Sequence, residues 1–229
     1  HTVTPTRPAL APLRLDPSFF HATLAGVAQP ATLTVMHRGK RIDRRSGDLL
    51  WTHFGISGPV VMDASRHWLT ARDEGGDLAM TCNFLPGEEF ADVERWLIDT
   101  ARDAPRRQML SVLAQRVPMR VGRALLALQA IEHGLPVGQL PREARRALVH
   151  HLTALLLPVV GDRGWNYAEV TAGGVPMSEV DPRTMQSKIV PGLYLVGEML
   201  DVDGRIGGFN FQWAWATGHV AGREIRKAG

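Results

Sequence analysis

The spacing of hydrophobic and polar residues in the first third of the chain predicts β structure. Strand candidates span residues 9–15, 31–37, 49–53 and 78–85. These segments are short and apolar, and the second one carries β-branched residues that favour strands. Arg-Gly-Lys at residues 38–40 predicts a hairpin turn between the second and third strands.

The spacing changes to a helical period in the middle third. Within the first third, Ser57-Gly-Pro59 already predicts a short helix that begins with Ser57 as its N-cap and Pro59 in its first turn. Gly134 is predicted to end one of the later helices as a C-cap. The short connections between these amphipathic segments favour a small antiparallel bundle. The predicted bundle helices span residues 88–102, 106–115, 118–133 and 141–157.

Strand-like and glycine-rich sequence returns after Pro158. Residues 167–171 and 193–196 are strand candidates, and residues 209–226 predict a helix rich in Ala and Trp. The layout is therefore α+β, with helices inserted between β-rich parts and the closing segment of an α/β domain at the end. The predicted division is 1–87 (β-rich, first part), 88–160 (helical subdomain), 161–190 (β-rich, return) and 191–229 (closing segment).

Composition narrows the functional classes only modestly. The 229 residues are 45% hydrophobic, and the formal net charge is +3. No apolar run approaches the ~20 residues of a membrane helix, so we expect a cytoplasmic protein. Cys82 is the only cysteine, which excludes internal disulfides and a Cys-based zinc site, and we expect its thiol to be buried and inert.

Six arginines of the helical region form a candidate anion or nucleic-acid patch. A solvated helix face explains such a cluster as well, and we favour that interpretation. Nucleic acid is accordingly a disfavoured partner. The six are Arg116, Arg120, Arg123, Arg142, Arg145 and Arg146.

The most informative stretch spans residues 191–218. An apolar strand candidate there ends at Gly197-Glu198, and a glycine-containing loop then leads into the predicted helix. Glycines let a ligand approach the backbone closely, and a helix N-terminus offers free N–H groups with a partial positive charge. Because a carboxylate accepts hydrogen bonds from hydroxyls, this combination predicts a ligand site.

Three stretches together carry a family resemblance: residues 47–59, 169–188 and 191–218. The chain resembles the YhiN/BaiN-like, or aminoacetone-oxidase-like, family of FAD-dependent oxidoreductases. The resemblance implies a β-barrel-like insert domain with an inserted small helical bundle, followed by the C-terminal segment of an FAD-binding α/β domain. It also implies FAD as the cofactor, a small-molecule substrate and, from some members, NAD(P)H as a candidate reductant.

The resemblance also assigns candidate residues around a flavin. Glu198 would accept hydrogen bonds from the ribityl hydroxyls, and backbone N–H groups at the start of the last helix would face the pyrimidine edge of the ring. Asn210 has the side chain of an N-cap. A tight turn or a β-bulge explains the same glycines without a ligand, and Asp201 or Asp203 can instead shape the loop. The candidate cofactor residues are Thr171, Gly173, Gly174, Gly197, Glu198, Asp201, Asp203, Gly204, Gly207, Gly208, Phe209 and Asn210.

His53 and Ser57 are the weak catalytic candidates, since their loop resembles one that faces the active site. Their alternative roles are a strand-end histidine and a helix cap. No metal site is expected, because the adjacent His150 and His151 point apart on a helix. The catalytic residues therefore stay unassigned by the sequence.

One element of the family pattern is absent from the sequence. We find no G-x-G-x-x-G fingerprint to hold the FAD pyrophosphate, and we expect an N-terminal domain of the same protein to supply it. The parent is then an FAD-dependent oxidoreductase, and this portion alone is expected to be inactive. The alternative is a non-catalytic module that binds nucleic acid or protein through its basic helices, but such a module has no need of the motif at residues 197–210.

Overall fold

The computed structural model describes residues 1–228, so Gly229, the last residue of the predicted closing segment, lies outside the described residues. Its strands are β1 (Thr4–Ala9), β2 (Leu13–Leu15), β3 (Ala28–His37), β4 (Lys40–Thr52), β5 (Gly55–Ser57), β6 (Leu78–Asn83), β7 (Leu155–Leu157), β8 (Val159–Asp162) and β9 (Val170–Gly174). Its α-helices are α1 (Pro59–Glu74), α2 (Phe90–Asp103), α3 (Met109–Leu113), α4 (Met119–Leu128), α5 (Arg142–Ala154) and α6 (Phe209–Ala228). The chain forms two compact units, one of residues 13–162 and one of residues 1–12 with the chain from Arg163 onward.

The larger unit, residues 13–162, is built on a seven-stranded antiparallel sheet. The strand order is β7-β6-β3-β4-β5-β2-β8. The longest ladder joins β3 to β4 from Ala28↔Leu50 to His37↔Lys40. Arg38 and Gly39 connect these strands with φ values of 50° and 74°. Two positive φ angles are typical of the tight turn whose twist matches a hairpin, which confirms the turn predicted at residues 38–40.

The sheet's two edge strands, β7 and β8, are separated in sequence only by Pro158. The predicted helix over residues 141–157 is wrong in its last turn, since α5 ends at Ala154. Leu155 and Leu157 are buried while Leu156 is 59% exposed. That alternation has the period of a strand and lets three consecutive leucines join the sheet without burying all of them.

Helices α1 and α4 also differ from the sequence prediction. Helix α1 has 16 residues and is not short, and its N-cap is Gly58 with φ 94°. Ser57 belongs to β5, so it makes no cap bond. A Cβ at position 58 would lie 2.7 Å from the Asp48 carbonyl oxygen, which requires glycine there. Helix α4 ends at Leu128, five residues before the predicted end, so Gly134 does not cap it.

The core of this unit combines the sheet with residues from all five of its helices. Leu97, Leu113, Leu125 and Leu148 are fully buried in it. Cys82 is also buried, as expected, and burial raises the pKa of its thiol, which keeps it protonated and unreactive. The barrel-like closure and the helical bundle stay predictions.

The smaller unit contains β1, β9 and α6. Strand β1 pairs antiparallel with β9, and it begins five residues before the first strand that the sequence predicts. The predicted strand at residues 9–15 is interrupted at Leu10, whose φ of 49° breaks the extended backbone between β1 and β2. Strand β9 begins three residues later than the predicted 167–171, which places Gly173 and Gly174 inside it.

The predicted strand at residues 193–196 is wrong for the described structure. Tyr194 makes one isolated antiparallel bridge with Gln186, and no ladder forms there within residues 1–228. The apolar side chains of this segment still serve the core, because Leu195 is buried with Val180, Met185 and Leu200. Helix α6 is confirmed and covers the predicted residues 209–226.

The described residues contain neither a membrane-spanning helix nor a cluster suited to a metal ion. Across residues 1–228, every helix is too short or too polar to span a bilayer. Within the same residues, His, Cys, Asp and Glu do not group in threes suited to a metal ion. The division into segments 1–87, 88–160, 161–190 and 191–229 stays a prediction beside the two compact units described above.

Candidate functional site

Helix α6 fixes the acidic turn that begins at Gly197. The Gly197 N–H donates to Thr217 Oγ1 at 2.9 Å, and Trp213 Nε1 donates to the Gly197 carbonyl at 3.2 Å. Residues Gly197–Met199 form a single 3-10 turn, and Gly197 has a φ of 67° that favours glycine. Both backbone groups of Gly197 are thus satisfied by side chains of one helix, so the turn is held in a defined place.

Glu198 follows directly and is exposed. One carboxylate oxygen accepts a hydrogen bond from the backbone N–H of Thr171 in β9. This bond ties the acidic turn to the strand. A carboxylate has about four lone-pair sites, so the side chain keeps accepting capacity for a ligand.

Asn210 holds the glycine loop instead of capping the helix. The Gly204 N–H donates to Asn210 Oδ1 at 2.7 Å, and Asn210 Nδ2 donates to the Gly204 carbonyl at 3.1 Å. The predicted N-cap role is wrong, because α6 begins at Phe209 and Asn210 already lies in its first turn. Its amide reaches back six residues and closes the loop 204–210 in both directions.

Gly207 and Gly208 connect this loop to the helix with φ values of 118° and 88°. A Cβ on Gly208 would meet no heavy atom within 4 Å. Glycine at position 208 therefore allows the positive φ of the backbone and leaves open space beside the chain. The first N–H groups of α6 follow immediately, and such groups lack partners inside their own helix.

These elements enclose a cleft of about 230 Å³ in the smaller unit, which we call the Glu198 cleft. Four predicted site residues line it: Glu198, Gly207, Gly208 and Asn210. Sequence reasoning missed the other lining residues, although Glu169 was the first residue of a motif that carried the resemblance. The missed residues are Leu10, Glu169, Val170, Val202, Ile206, Phe211, Trp213 and Ala214.

A second, shallower cleft of about 480 Å³ adjoins Glu198 on the side of β9. Three predicted residues, Thr171, Gly173 and Gly174, line it together with Glu198. A Cβ on Gly173 would lie 2.4 Å from the Pro5 carbonyl oxygen, and one on Gly174 would lie 2.6 Å from that of Met199. The protein's own backbone therefore requires both glycines, with or without a ligand.

Five of the twelve candidates line neither cleft within residues 1–228: Gly197, Asp201, Asp203, Gly204 and Phe209. The backbone of Asp201 is held by a 2.8 Å bond from its N–H to the Val175 carbonyl, and Asp203 follows in the same loop. The Phe209 ring lies under the Arg205 guanidinium at 4.6 Å from its centroid. The Asp201 backbone bond and the Phe209–Arg205 contact thus help to hold the chain around the Glu198 cleft.

The weak catalytic candidates belong to the larger unit. His53 is exposed in the turn between β4 and β5, with its ring at 5.1 Å, edge-on, from that of Phe54. Ser57 lies in β5, and its hydroxyl contacts Met62 Sδ at 4.0 Å. These positions give no chemical reason to assign either residue a proton-transfer role.

Most of the arginine cluster has partners within the protein. Arg116 pairs with Glu88 and stacks over Trp96, and both Arg145 and Arg146 reach Glu94. The Arg120 guanidinium donates to the backbone carbonyls of residues 23 and 25. These contacts satisfy donors that a phosphate backbone would otherwise use, which supports the solvated-face interpretation.

Comparison with known proteins gives the chain a family. Residues 1–224 match the family described as HI0933-like protein Rossmann domain. The chain belongs to this family. The resemblance to YhiN/BaiN-like flavoproteins is thereby confirmed.

This chain is similar to two relatives that carry different names. The chain is 34% identical over 223 residues to the 3-dehydro-bile acid delta(4,6)-reductase of Clostridium scindens, and the match covers 97% of this chain and 54% of that protein. It is 35% identical over 225 residues to the ribosomal RNA dihydrouridine synthase of Escherichia coli, covering 97% of this chain and 53% of the relative. The chain thus spans about half the length of the curated relatives it matches.

The residues of the Glu198 cleft suit a flavin. The space beside Gly208 leaves its backbone open to a ligand, and the start of α6 provides donors and partial positive charge that would suit the polar edge of a flavin. Ile206 and Phe211 add apolar surface, and the Glu198 carboxylate accepts from hydroxyls. The cleft therefore offers apolar surface, hydrogen-bond donors and a hydrogen-bond acceptor, which suit the apolar and the polar parts of a flavin.

Proposed function

We propose that this chain is the flavin-ring and substrate-side portion of an FAD-dependent oxidoreductase. The observation that carries the proposal is the Glu198 cleft, where a carboxylate, a glycine pair and a helix N-terminus converge. Those three groups complement the hydroxyls, the ring face and the polar ring edge of one cofactor. Membership in the HI0933-like family supports the same cofactor.

The proposed reaction is the reduction of a carbon–carbon double bond. Two relatives support this class by name, since one is a delta(4,6)-reductase and the other forms dihydrouridine, which has two more hydrogens than uridine. A bound flavin supplies the two-electron transfer that such a reduction needs, with NAD(P)H as the candidate source of electrons. The protein's own contribution is to place the ring and the substrate and to stabilise charge.

Each group of the Glu198 cleft has a proposed role. Glu198 accepts hydrogen bonds from ribityl hydroxyls while its bond to Thr171 fixes its position. Gly207 and Gly208 allow close approach of the ring, and the N-terminus of α6 stabilises negative charge on the pyrimidine edge. His53 and Ser57 take no step in this proposal, since their surroundings give neither of them a proton-transfer role.

The relatives are longer than the part of them that this chain matches. We further propose that one face of α6 packs against a region equivalent to that additional part of the relatives. Phe211 and Trp215 are each 69% exposed, and Gly218, Gly222 and Ile225 continue the same stripe at helical spacing. A continuous exposed apolar stripe marks an interaction surface. The relatives' additional length is the proposed occupant, and it would also hold the FAD pyrophosphate.

The proposal is tested in a longer form of the protein that includes the relatives' additional length, by loading it with FAD, reducing the flavin without oxygen and adding a conjugated ketone or uridine. We expect faster flavin reoxidation with one of these substrates than with buffer alone. Failure of every preparation to retain flavin would contradict the cofactor assignment. Submicromolar binding to random duplex DNA would instead favour the binding-module alternative, because ordinary non-specific affinity is ~0.1 mM or weaker at physiological salt.

A further inference from the structure

The Glu198 cleft contains a second acidic residue that has no assigned role. Glu169 lines the cleft directly before strand β9 and is exposed. Its backbone N–H donates to the Leu10 carbonyl at 3.3 Å, which holds the main chain at this point. Glu198 accepts a hydrogen bond from the Thr171 N–H, whereas the Glu169 carboxylate has neither a hydrogen-bond nor an ion-pair partner among residues 1–228.

The charge of this cleft is negative. Its lining includes the side chains of Glu169 and Glu198, and no lysine, arginine or histidine lines it in the described part of the chain. The start of α6 opposes these carboxylates with only about half a positive charge. Arg205, whose guanidinium stacks on Phe209, adds one positive charge without lining the cleft. The two carboxylates therefore outweigh the helix terminus and the arginine together.

A negative cleft distinguishes between the two ends of the proposed cofactor. The ring and the ribityl chain of an oxidised flavin are uncharged, and they offer N–H and hydroxyl donors for which a carboxylate is a strong acceptor. A phosphate monoester carries about two negative charges at neutral pH and offers mainly acceptors. Like charges repel, so the cleft should accept the first end and reject the second.

We propose that Glu169 is a specificity-determining residue that excludes phosphate from the Glu198 cleft and so orients the cofactor. This inference rests on the proposed function, because it takes the flavin assignment of the cleft as its starting point. The flavin end enters the cleft, and the phosphates stay outside it. Glu169 acts through its charge, so its carboxylate need not touch the ligand.

Riboflavin and FMN differ by one phosphate, so the pair tests this selectivity directly. The 229-residue chain is titrated into a trace of each flavin, and quenching of flavin fluorescence by Trp213, which lines the cleft, reports binding. We expect a larger dissociation constant for FMN than for riboflavin at low salt. The chain as a whole predicts the opposite order, because its formal net charge of +3 attracts FMN. FMN binding as tight as that of riboflavin, or tighter, would overturn the proposal.

Glu169→Gln removes the charge and nearly keeps the shape of the side chain. It should lower the ratio of the FMN to the riboflavin dissociation constant by roughly 3-fold, as expected for a carboxylate and a phosphate several ångströms apart in water. Glu169→Lys should lower the ratio further. The ratio is the quantity compared because a poorer fit of the flavin ring would weaken both ligands alike. An unchanged ratio in Glu169→Gln would overturn the proposal.

Glu132→Gln is the matched control, since Glu132 is an exposed residue of the larger unit and the substitution changes the net charge by the same amount. It should leave the ratio as it is, and an equal change in the two variants would count against Glu169. Added salt should bring the ratio in the unsubstituted chain toward one, because the screening length falls from ~10 Å at 0.1 M to ~3 Å at 1 M. A ratio that does not respond to salt would overturn the role of charge.

FAD loading of a longer form separates this inference from the proposed function. Riboflavin and FMN binding with equal affinity to the 229-residue chain rejects the role of Glu169 and leaves the flavin assignment intact. FAD retention by the longer form, without riboflavin binding by the 229-residue chain, likewise rejects this inference alone. Absence of flavin from both forms rejects the inference and the proposed function together.

Discussion

Asn210 and Gly204 exchange two hydrogen bonds, one of 2.7 Å from the glycine N–H and one of 3.1 Å to its carbonyl. The asparagine lies in the first turn of α6, and the glycine lies at the start of the loop that leads into that helix. The pair therefore fixes the loop to the helix whose N-terminus borders the Glu198 cleft. A Cβ at position 204 would lie 2.9 Å from the Phe209 Cβ, so the loop accepts only glycine in this arrangement.

Asn210→Ala should destabilise this loop. It removes two neutral hydrogen bonds, each worth about 1 kcal/mol, so we expect a loss of about 1–2 kcal/mol in the free energy of unfolding. Asn210→Asp keeps an acceptor for the Gly204 N–H and should lose less. Hydrogen exchange at the Gly204 amide and the thermal midpoint measure both effects. The exposed Gln212→Ala on the same turn is the control, and equal stability of Asn210→Ala and Gln212→Ala would contradict the role of Asn210.

Trp215→Lys tests the proposed packing face of α6. The side chain is 69% exposed in this chain, so the substitution should change the stability of the 229-residue protein by no more than about 0.5 kcal/mol. In a form that includes the relatives' additional length, it should lower stability by more than 1 kcal/mol, because a charge would then be buried in an apolar contact. Thermal unfolding of both forms measures the difference.

The matched control for this experiment is Gln212→Lys, which places the same charge at an exposed polar position of α6. It should leave both forms unchanged. Equal tolerance of Trp215→Lys in the two forms would show that this face stays in solvent.

His21 should make stability depend on pH. Burial lowers the pKa of His21 below its ordinary value of 6.5, against smaller opposing effects that include the Asp16 carboxylate. The unfolded chain therefore binds more protons than the folded chain just below pH 6.5. The free energy of unfolding should fall as the pH drops from 7.5 to 5.5, by at most about 1.4 kcal/mol per unit for this residue.

Urea unfolding of His21→Gln across the same pH range checks this assignment. The variant should show a smaller slope of stability against pH than the unsubstituted chain, whatever its absolute stability. Part of the slope should remain, since burial also lowers the pKa of His151. An unchanged slope in His21→Gln would remove His21 as a source of the dependence.

The sequence predicted best where a local signal determines the structure. The hairpin at residues 38–40 needs two positive φ angles, which Arg38-Gly39 adopts, and α6 is a long helix-forming segment. The helix predicted at residues 155–157 was wrong because three leucines fit a helix as well as a strand, and only pairing with β6 decides between the two. The strand predicted at residues 193–196 was wrong for a related reason, since a strand needs a hydrogen-bonded neighbour and this segment has no ladder in the described residues.

The candidate site was predictable in its polar part and not in its apolar part. Glu198 and the glycine pair stand out in the sequence because an acidic residue followed by glycines before a helix is a pattern that suits a ligand. Ile206 and Phe211 look like ordinary core residues in sequence, and only the fold turns them toward the cleft.

FAD titration of Glu198 variants, followed by flavin fluorescence in a form that binds the cofactor, tests the central claim most directly. Glu198→Ala should raise the dissociation constant by ~10-fold or more, since a hydrogen bond to a charged group is worth roughly 1.5–3 kcal/mol. Glu198→Gln keeps an acceptor for the Thr171 N–H and should show a smaller loss, which separates ligand contact from local folding. Equal FAD affinity in the unsubstituted protein and Glu198→Ala would contradict the assignment of this cleft to the flavin.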